Sequence, residues 1–523
     1  MTRQSEPHIL FTGAGLLDPG AGTRTPGSWL LVRDGIIAGS GQGAPPEVGS
    51  RVPTVDLAGA TLMPGLIDAH VHPTAFSADL GAAMDQSPAY VASYAGRSLG
   101  AMLRRGFTTV RDVAGGDWGL ARAVEEGLVD GPRLMFGGKA LSQTGGHGDF
   151  RAPGRQGNDT HACCPGAGIV CDGPVEFRRA AREQLRTGAH HLKIMLSGGV
   201  ASPTDRIDST QSSEDEIRAV VEEAEAANRY VTGHAYTARA VNRGLRLGVR
   251  CIEHGNLIDE SSVELFLEHD AYLVPTLVTY RELSRQGAAN GLPAASQAKV
   301  DTVLDRGLDA LRMAHEAGVN LVFGSDLLGG MQDRQSQEFA IRGRVQPAAD
   351  VLRAATVNAA RLLGLEGVVG TLRDGAQADL VVVDGDPLAD IGVLASPETS
   401  VRTVLREGRI RHERAAAQEM VAVASMYRNS HRWPSGSAKE REYMPVCSMV
   451  LAWVAPATAA ASAIRSTSSR LSALRQVITS APAEVSAVPE GVNSAKKGSD
   501  RNRTRDWSLT TMHSALSSEK ASS

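Results

Sequence analysis

Apolar and polar residues alternate along this chain in two different rhythms. Residues 8 to 62 carry short apolar runs with period-two character, "HILFTGAGLLDPG", "SWLLVRDGIIAGSG" and "TVDLAGATLMPG", separated by Asp-Gly and Gly-rich breaks. Such punctuation predicts the hairpins of a small sheet. The same texture returns at "GVVGTLRDGAQADLVVVDGDPL" and "VRTVLREGRI". Two half-sheets at opposite ends predict one composite β-sandwich domain, built from residues 1–64 and 365–412.

Between them, eight apolar runs stand out: "GLIDAHVH", "TTVRDV", "RLMFGG", "HLKIMLS", "YVTGHA", "CIEHGN", "YLVPTL" and "LVFGSD". Amphipathic segments follow many of them, among them "SEDEIRAVVEEAEAANR", "SSVELFLEHD" and "AADVLRAATVNAARLLG". Alternating strand and helix predicts an α/β fold with a parallel sheet. Eight units fit a closed (β/α)8 TIM barrel over residues 65–364, with its active site where the strands end. The stretch from Leu141 to Pro174 breaks the rhythm and reads as a long functional loop over the barrel mouth. Beyond about residue 413 the alternation fades into a Ser-, Ala- and Arg-rich tail, read as weakly ordered.

Composition narrows the function classes. The chain has 523 residues and a net charge of -4, without a basic stripe interleaved with aromatics, so nucleic acid is not an expected partner. Five cysteines without a CxxC pair suit a reducing cytoplasm. The group "HACCPGAGIVC", with His161, Cys163, Cys164 and Cys171, lacks the spacing of a closed zinc site and reads as free thiols. The first residues, "MTRQSEPHILFTG", lack the pattern of an export signal, so no export is expected, and the tract "CSMVLAWVAPATAAASAI" is too rich in Ala, Ser and Pro to be expected to span a membrane. The expected partner is a small molecule.

The polar residues at the strand ends carry the chemistry. In an extended strand His70 and His72 share one face, either as surface histidines or as two imidazoles aimed at a metal. Asp68 falls on the same face by that rule, as an orienter or a rim residue. Strand 4 adds Lys193, strand 5 His234, strand 6 His254 and strand 8 Asp326. Lys193 is the unusual member, because residues 1–412 contain only two other lysines, Lys139 and Lys299. A buried ammonium pays desolvation, so its pKa falls, and the neutral amine can take up carbon dioxide as an anionic carbamate. Arginine cannot do this. The plainer alternative is a lysine paired with a carboxylate or snorkelling to the rim.

The motifs "PGLIDAHVHP", "HLKIMLSGG", "GHAYT", "IEHG", "FGSD" and "GTLRDGAQADLVVVDGDP" resemble the amidohydrolase superfamily, in its binuclear branch with a carboxylated lysine. "SGGV" and "GHAYT" are most similar to the Xaa-Pro dipeptidase and carboxydipeptidase-like subgroup. The resemblance implies one metal held by His70, His72 and Asp326 and a second by His234 and His254, with carboxylated Lys193 and a hydroxide bridging them. Zinc is the expected ion, with cobalt or manganese as alternatives. It further implies that Asp326 moves the proton, that His147 hydrogen-bonds the substrate carbonyl or oxyanion, and that Tyr236 holds a substrate carboxylate. A homo-oligomer is implied too. The expected reaction is hydrolysis of an amide C–N bond in dipeptides or N-acyl amino acids. Alternatives are neutral amides, aryl ureas or carbamates cleaved by the same machinery, a one-metal deaminase, or an inactive scaffold.

Overall fold

The computed structural model describes residues 8–151, 166–202 and 205–414. The description below concerns the unit Met1–Glu419. The predicted tail, the apolar tract from Cys447, and His161, Cys163 and Cys164 of the loop group lie outside the described residues. Cys171 is described, and it is free and buried.

The two ends of the described chain share one sheet. Its order is Arg409–Glu413, Val401–Arg406, Leu380–Val383, Thr61–Pro64, Ile9–Asp18, Thr23–Arg33 and Ile36–Gln42, with Thr54–Asp56 beside Ile9–Asp18. The joint is antiparallel, Leu380 opposite Pro64 and Val383 opposite Thr61. "LVVV" is apolar at every position because both faces are covered. Leu380 and Val382 join a cluster with Phe11, Leu30 and Leu62, while Val381 and Val383 join one with Leu66, Phe107 and Phe323.

Strand Thr61–Pro64 passes through Gly65 into Leu66–Val71, the first of the predicted parallel strands. A Cβ at Gly65 would lie 2.0 Å from the Thr108 hydroxyl, so this close approach requires glycine. Leu66–Val71, Phe107–Asp112 and Arg133–Phe136 pair in parallel. A second parallel run contains Gly168–Val170, Ala140–Ser142, Leu192–Met195, Val231–Thr237, Cys251–Leu257, Tyr272–Val274 and Asn320–Leu321. The third predicted run, "RLMFGG", is a strand only over Arg133–Phe136, which pairs with Phe107–Asp112 and ends at Gly137 and Gly138. Ala140–Ser142, past that run, pairs with Leu192–Met195. The predicted loop also departs from expectation, since Gly168–Val170 returns from it as a strand beside Ala140–Ser142. At the far edge the Ala69 amide donates to the Phe323 carbonyl at 2.9 Å and the Asp326 amide to the His70 carbonyl at 2.8 Å. These bonds bring the last strand's end against the first.

Helices follow the strands as the amphipathic pattern predicts. Glu214–Ala226 starts with a capping box between Ser213 and Glu216 and buries Ile217, Val220, Val221 and Ala224. "AADVLRAATVNAARLLG" forms two short helices, Ala348–Ala354 and Val357–Leu362. They break at Thr356, whose φ of -139° and ψ of -92° are not helical. No helix among the described residues is long and apolar enough to cross a membrane.

Candidate metal centre

The first strand does not keep strict alternation. Its register with Phe107–Asp112 is interrupted between Asp68 and Val71, which is the signature of a bulge that re-aims side chains. Ile67 and Ala69 pack inward with Cys251, Tyr272 and Val322, whereas Leu66 and Val71 pack with Phe107 and Phe323. Asp68 therefore does not point with the histidines, contrary to the period-two expectation. Its carboxylate accepts the amides of His70 at 3.0 Å and Ser325 at 3.1 Å, the Ser325 hydroxyl at 2.6 Å and the Gln335 amide at 2.8 Å. It fastens the segment that carries Asp326 to the segment that carries His70.

Beyond the bulge, His70 and His72 converge. Asp326 Oδ1 lies 3.2 Å from Nε2 of both rings, and among the described residues these three form a cluster able to hold a metal ion. His254 stands beside them, its ring centroid 5.0 Å from that of His70 and 4.5 Å from that of His234. The backbone is strained at these positions: φ is 77° at His254, 53° at Asp326 and 48° at Thr276. Non-glycine residues in this region cost about 1–3 kcal/mol each and persist where surrounding structure imposes them, as at functional sites.

Each of the four rings has one nitrogen occupied by protein. His70 Nδ1 meets Glu253 Oε2 at 2.7 Å and His72 Nδ1 the Ala114 carbonyl at 2.9 Å. His234 Nε2 faces the Gly198 carbonyl at 3.3 Å, and His254 Nδ1 the Thr276 hydroxyl at 2.8 Å. The Glu253 carboxylate and the Ala114 and Gly198 carbonyls can only accept, so they favour the proton on the facing nitrogen of His70, His72 and His234 and turn the other nitrogen toward the centre, as the partners of metal-ligating histidines do; the Thr276 hydroxyl can serve His254 in either sense. Burial holds His234 and His254 neutral, with pKa values far below the ordinary range. Burial alone would raise the Asp326 carboxyl, but His70 and His72 hold it well below the carboxylate range.

Lys193 is 2% exposed and its Nζ is buried without a hydrogen-bond partner among the described residues. Burial lowers its pKa to about 8. Neither the paired nor the snorkelling alternative describes this amine. This orphaned buried amine interacts electrostatically with Asp326, His234 and His254, and its chemistry is compatible with a metal site at these residues.

Beneath this group lies a buried pair that sequence reasoning missed. Glu253 binds Arg111 Nη2 at 2.6 Å in addition to His70, and it accepts the Thr232 hydroxyl. Burial would raise the Glu253 carboxyl; Arg111 and His70 hold it far below the usual range. The available signal was a carboxylate inside the apolar run "CIEHG".

The two predicted substrate residues are also brought to the centre. His147 stacks on His234 with ring centroids 4.0 Å apart, and burial pushes its pKa down to about 4. Gly199 makes room for it, because a Cβ there would lie 2.1 Å from His147 Cε1. Gly199→Ala should therefore displace the ring and lower kcat/KM at least about tenfold with metal content unchanged, measured by steady-state assay and metal analysis. Tyr236 lies 4.9 Å from His234 and 5.4 Å from His254 between ring centroids. Its hydroxyl accepts from Tyr280, a residue of helix Leu277–Gln286 not foreseen from sequence, at 3.1 Å.

A profile of the amidohydrolase family matches residues 61–411. Ochratoxinase from Aspergillus niger is 33% identical over 420 residues, covering 77% of this chain and 87% of that protein. Among solved structures, a prolidase complexed with N-methylphosphonate-L-proline is 46% identical with a TM-score of 0.75, covering 78% of this chain and all of that one. A Xaa-Pro dipeptidase with methionine bound in its active site is 28% identical with a TM-score of 0.69, again over 78% of this chain and all of that one. With the matched region running from the first parallel strand through the last, and every strand-end residue gathered at one place, the chain belongs to the amidohydrolase family.

Proposed function

We propose that the protein is a binuclear metal-dependent hydrolase that cleaves the amide C–N bond of substrates bearing a free carboxylate, namely dipeptides or N-acyl amino acids. In this reading residues 65–364 form a (β/α)8 barrel and residues 1–64 with 365–412 a composite β-sandwich beside it. Support comes from the parallel pairings, the bonds between Ala69 and Phe323 and between Asp326 and His70, and the sheet shared by both chain ends.

His70, His72 and Asp326 would hold one divalent ion, His234 and His254 the other, and carboxylated Lys193 both. Two such ions, zinc in the first instance, supply Lewis acidity and a water acidified to near-neutral pH. The chain's own residues do the rest. Asp326 accepts a proton from the attacking water as its oxygen bonds to the carbonyl carbon. It then returns the proton to the amine nitrogen as the C–N bond breaks, one carboxylate serving first as base and then as acid. The strained backbone at Asp326 and the four bonds made by Asp68 keep that carboxylate in place.

The observation that carries the substrate side is the phenol pair, Tyr280 donating to Tyr236 at 3.1 Å beside His254. Once a carboxylate arrives, Tyr236 can donate to it while still accepting from Tyr280, so its lone pair and its proton are both used. The relatives named prolidase and Xaa-Pro dipeptidase favour the same class. Tyr236→Phe should raise KM for a dipeptide about ten- to hundredfold, the worth of a hydrogen bond to a charged group, with kcat changed less than about threefold. A panel of dipeptides, N-acyl amino acids, their C-terminal amides and aryl ureas, assayed with metal-loaded protein, tests the reading. Turnover confined to free carboxylates is expected, and equal turnover of the amides would reject it.

A further inference from the structure

A cavity of about 270 Å3 lies away from the metal centre, lined among others by Val124, Val129, Asp130, Arg406, Ile410 and Arg411. Val124 belongs to helix Trp118–Glu125, and Val129 and Asp130 to the connection from it into strand Arg133–Phe136. Arg406 ends strand Val401–Arg406, while Ile410 and Arg411 stand on its antiparallel partner Arg409–Glu413. The cavity thus adjoins the chain that leads into Arg133–Phe136. His70 and His72 stand at the opposite ends of these parallel strands, at and just beyond the end of Leu66–Val71 in the same sheet.

The two arginines have donors to spare. A guanidinium stays charged and carries five N–H groups. Arg406 is buried, donates from Nη1 to the Gly131 carbonyl at 2.9 Å, and brings Nη2 within 3.5 Å of Glu407. Glu407 is closer to Arg133, at 3.1 Å, and Arg133 also holds Asp379 at 2.9 Å. Burial lowers the Arg406 pKa; Glu407 opposes this, and the like charges of Arg133 and Arg411 add to it. Arg411 meets one carboxylate, Asp130, at 4.0 Å. The Nε atoms of Arg406 and Arg411 are both buried without a hydrogen-bond partner among the described residues. Buried charge costs free energy until it is paired, so this pair of guanidiniums favours an incoming anion.

The other walls say which anion. Ile410 is 48% exposed next to the arginines, an apolar surface that Val124 and Val129 extend. Asp130 is 59% exposed and repels a second negative charge while offering an acceptor to a cation. The volume falls below that of pockets for drug-sized molecules, about 300–1,000 Å3. We propose that this cavity binds a free α-amino acid with a branched apolar side chain. Its carboxylate meets Arg406 and Arg411, its ammonium Asp130, and its side chain Val124, Val129 and Ile410. In the amide-hydrolase reading above such a ligand is also a product of the reaction; the site itself does not rest on that reading.

The test is a methyl NMR titration of full-length, metal-loaded protein labelled at its isoleucine methyls, the Ile410 signal being assigned by its loss in Ile410→Val. L-Leucine should move this signal saturably, with a dissociation constant in the millimolar range or tighter. Isocaproate, which lacks the ammonium, should bind about threefold more weakly, and isoamylamine, which lacks the carboxylate, should leave the signal in place. Arg411 is 31% exposed, so Arg411→Ala removes no fully buried charge, and it should weaken leucine at least about tenfold. Asp130→Asn should weaken leucine about threefold without weakening isocaproate. A signal that leucine does not move, or moves equally in Arg411→Ala as leucine held at the metal centre would, overturns the site. Inorganic phosphate or isoamylamine binding as tightly as leucine overturns the amino-acid assignment. Nothing is hydrolysed in the titration, so its outcome is independent of whether the protein cleaves dipeptides.

Discussion

Lys193→Ala should abolish activity, by at least about a thousandfold, and lower the bound metal from about two ions per chain to about one or fewer. An ordinary lysine is neutral in about one molecule in three thousand at pH 7, whereas a pKa near 8 makes about a tenth of the molecules neutral. Only the neutral amine has the lone pair that attacks carbon dioxide. The N–C bond forms, the nitrogen loses a proton, and a buried cation becomes a buried anion with two oxygens that could serve as metal ligands. Lys193→Arg should be as inactive as Lys193→Ala, because a guanidinium stays protonated in this site. The pH sign follows. After chelation, recovery with added metal and bicarbonate should quicken from pH 7 to pH 9 as the free amine rises through its pKa. Recovery that is indifferent to bicarbonate, with two ions retained in Lys193→Ala, would falsify the carbamate.

Much of this centre was legible because its residues sit where strands end. A strand imposes a period of two and a direction, and parallel strands deliver their ends to one side. His72, Lys193, His234, His254 and Asp326 come together from separate runs for that reason, and the scarcity of lysine made Lys193 conspicuous. The period fails at Asp68, since the bulge depends on how Leu66–Val71 meets Phe107–Asp112 and nothing in "LIDAHVH" announces it. The third strand ends at Gly137 and Gly138, where two glycines permit a turn but do not require one. Glu253 and Arg111 are 142 residues apart, and Lys299 reaches Asp205 across 94. Charge pairing at such separations has no local pattern. Tyr280 was hidden for another reason: its partner Tyr236 is on a strand, while it enters from a helix, so no shared periodicity links them.

Glu253→Gln carries the second large effect, and it separates folding from metal binding. Glu253 and Arg111 are both fully buried, and the carboxylate has donors on both oxygens: Arg111 and Thr232 on Oε1, His70 on Oε2. A glutamine offers one oxygen and one NH2 in the same volume, so either His70 Nδ1–H or the Arg111 guanidinium must face another donor. The charge on Arg111 is left uncompensated in either case. Breaking one side of a buried ion pair costs about 3–5 kcal/mol, more than the pair itself contributes relative to an apolar replacement. This loss should appear in metal-free protein, as a lower urea midpoint with unchanged slope. A further loss belongs to the metal. With Nδ1 no longer tied to a carboxylate, His70 loses both its orientation and part of its basicity, and affinity should drop about ten- to hundredfold by competition with a chelator. Thr232→Val removes one donor and leaves the ion pair intact, so it should reproduce neither effect in full. A Glu253→Gln protein whose metal-free midpoint equals that of the wild type would show that the pair serves the metal alone.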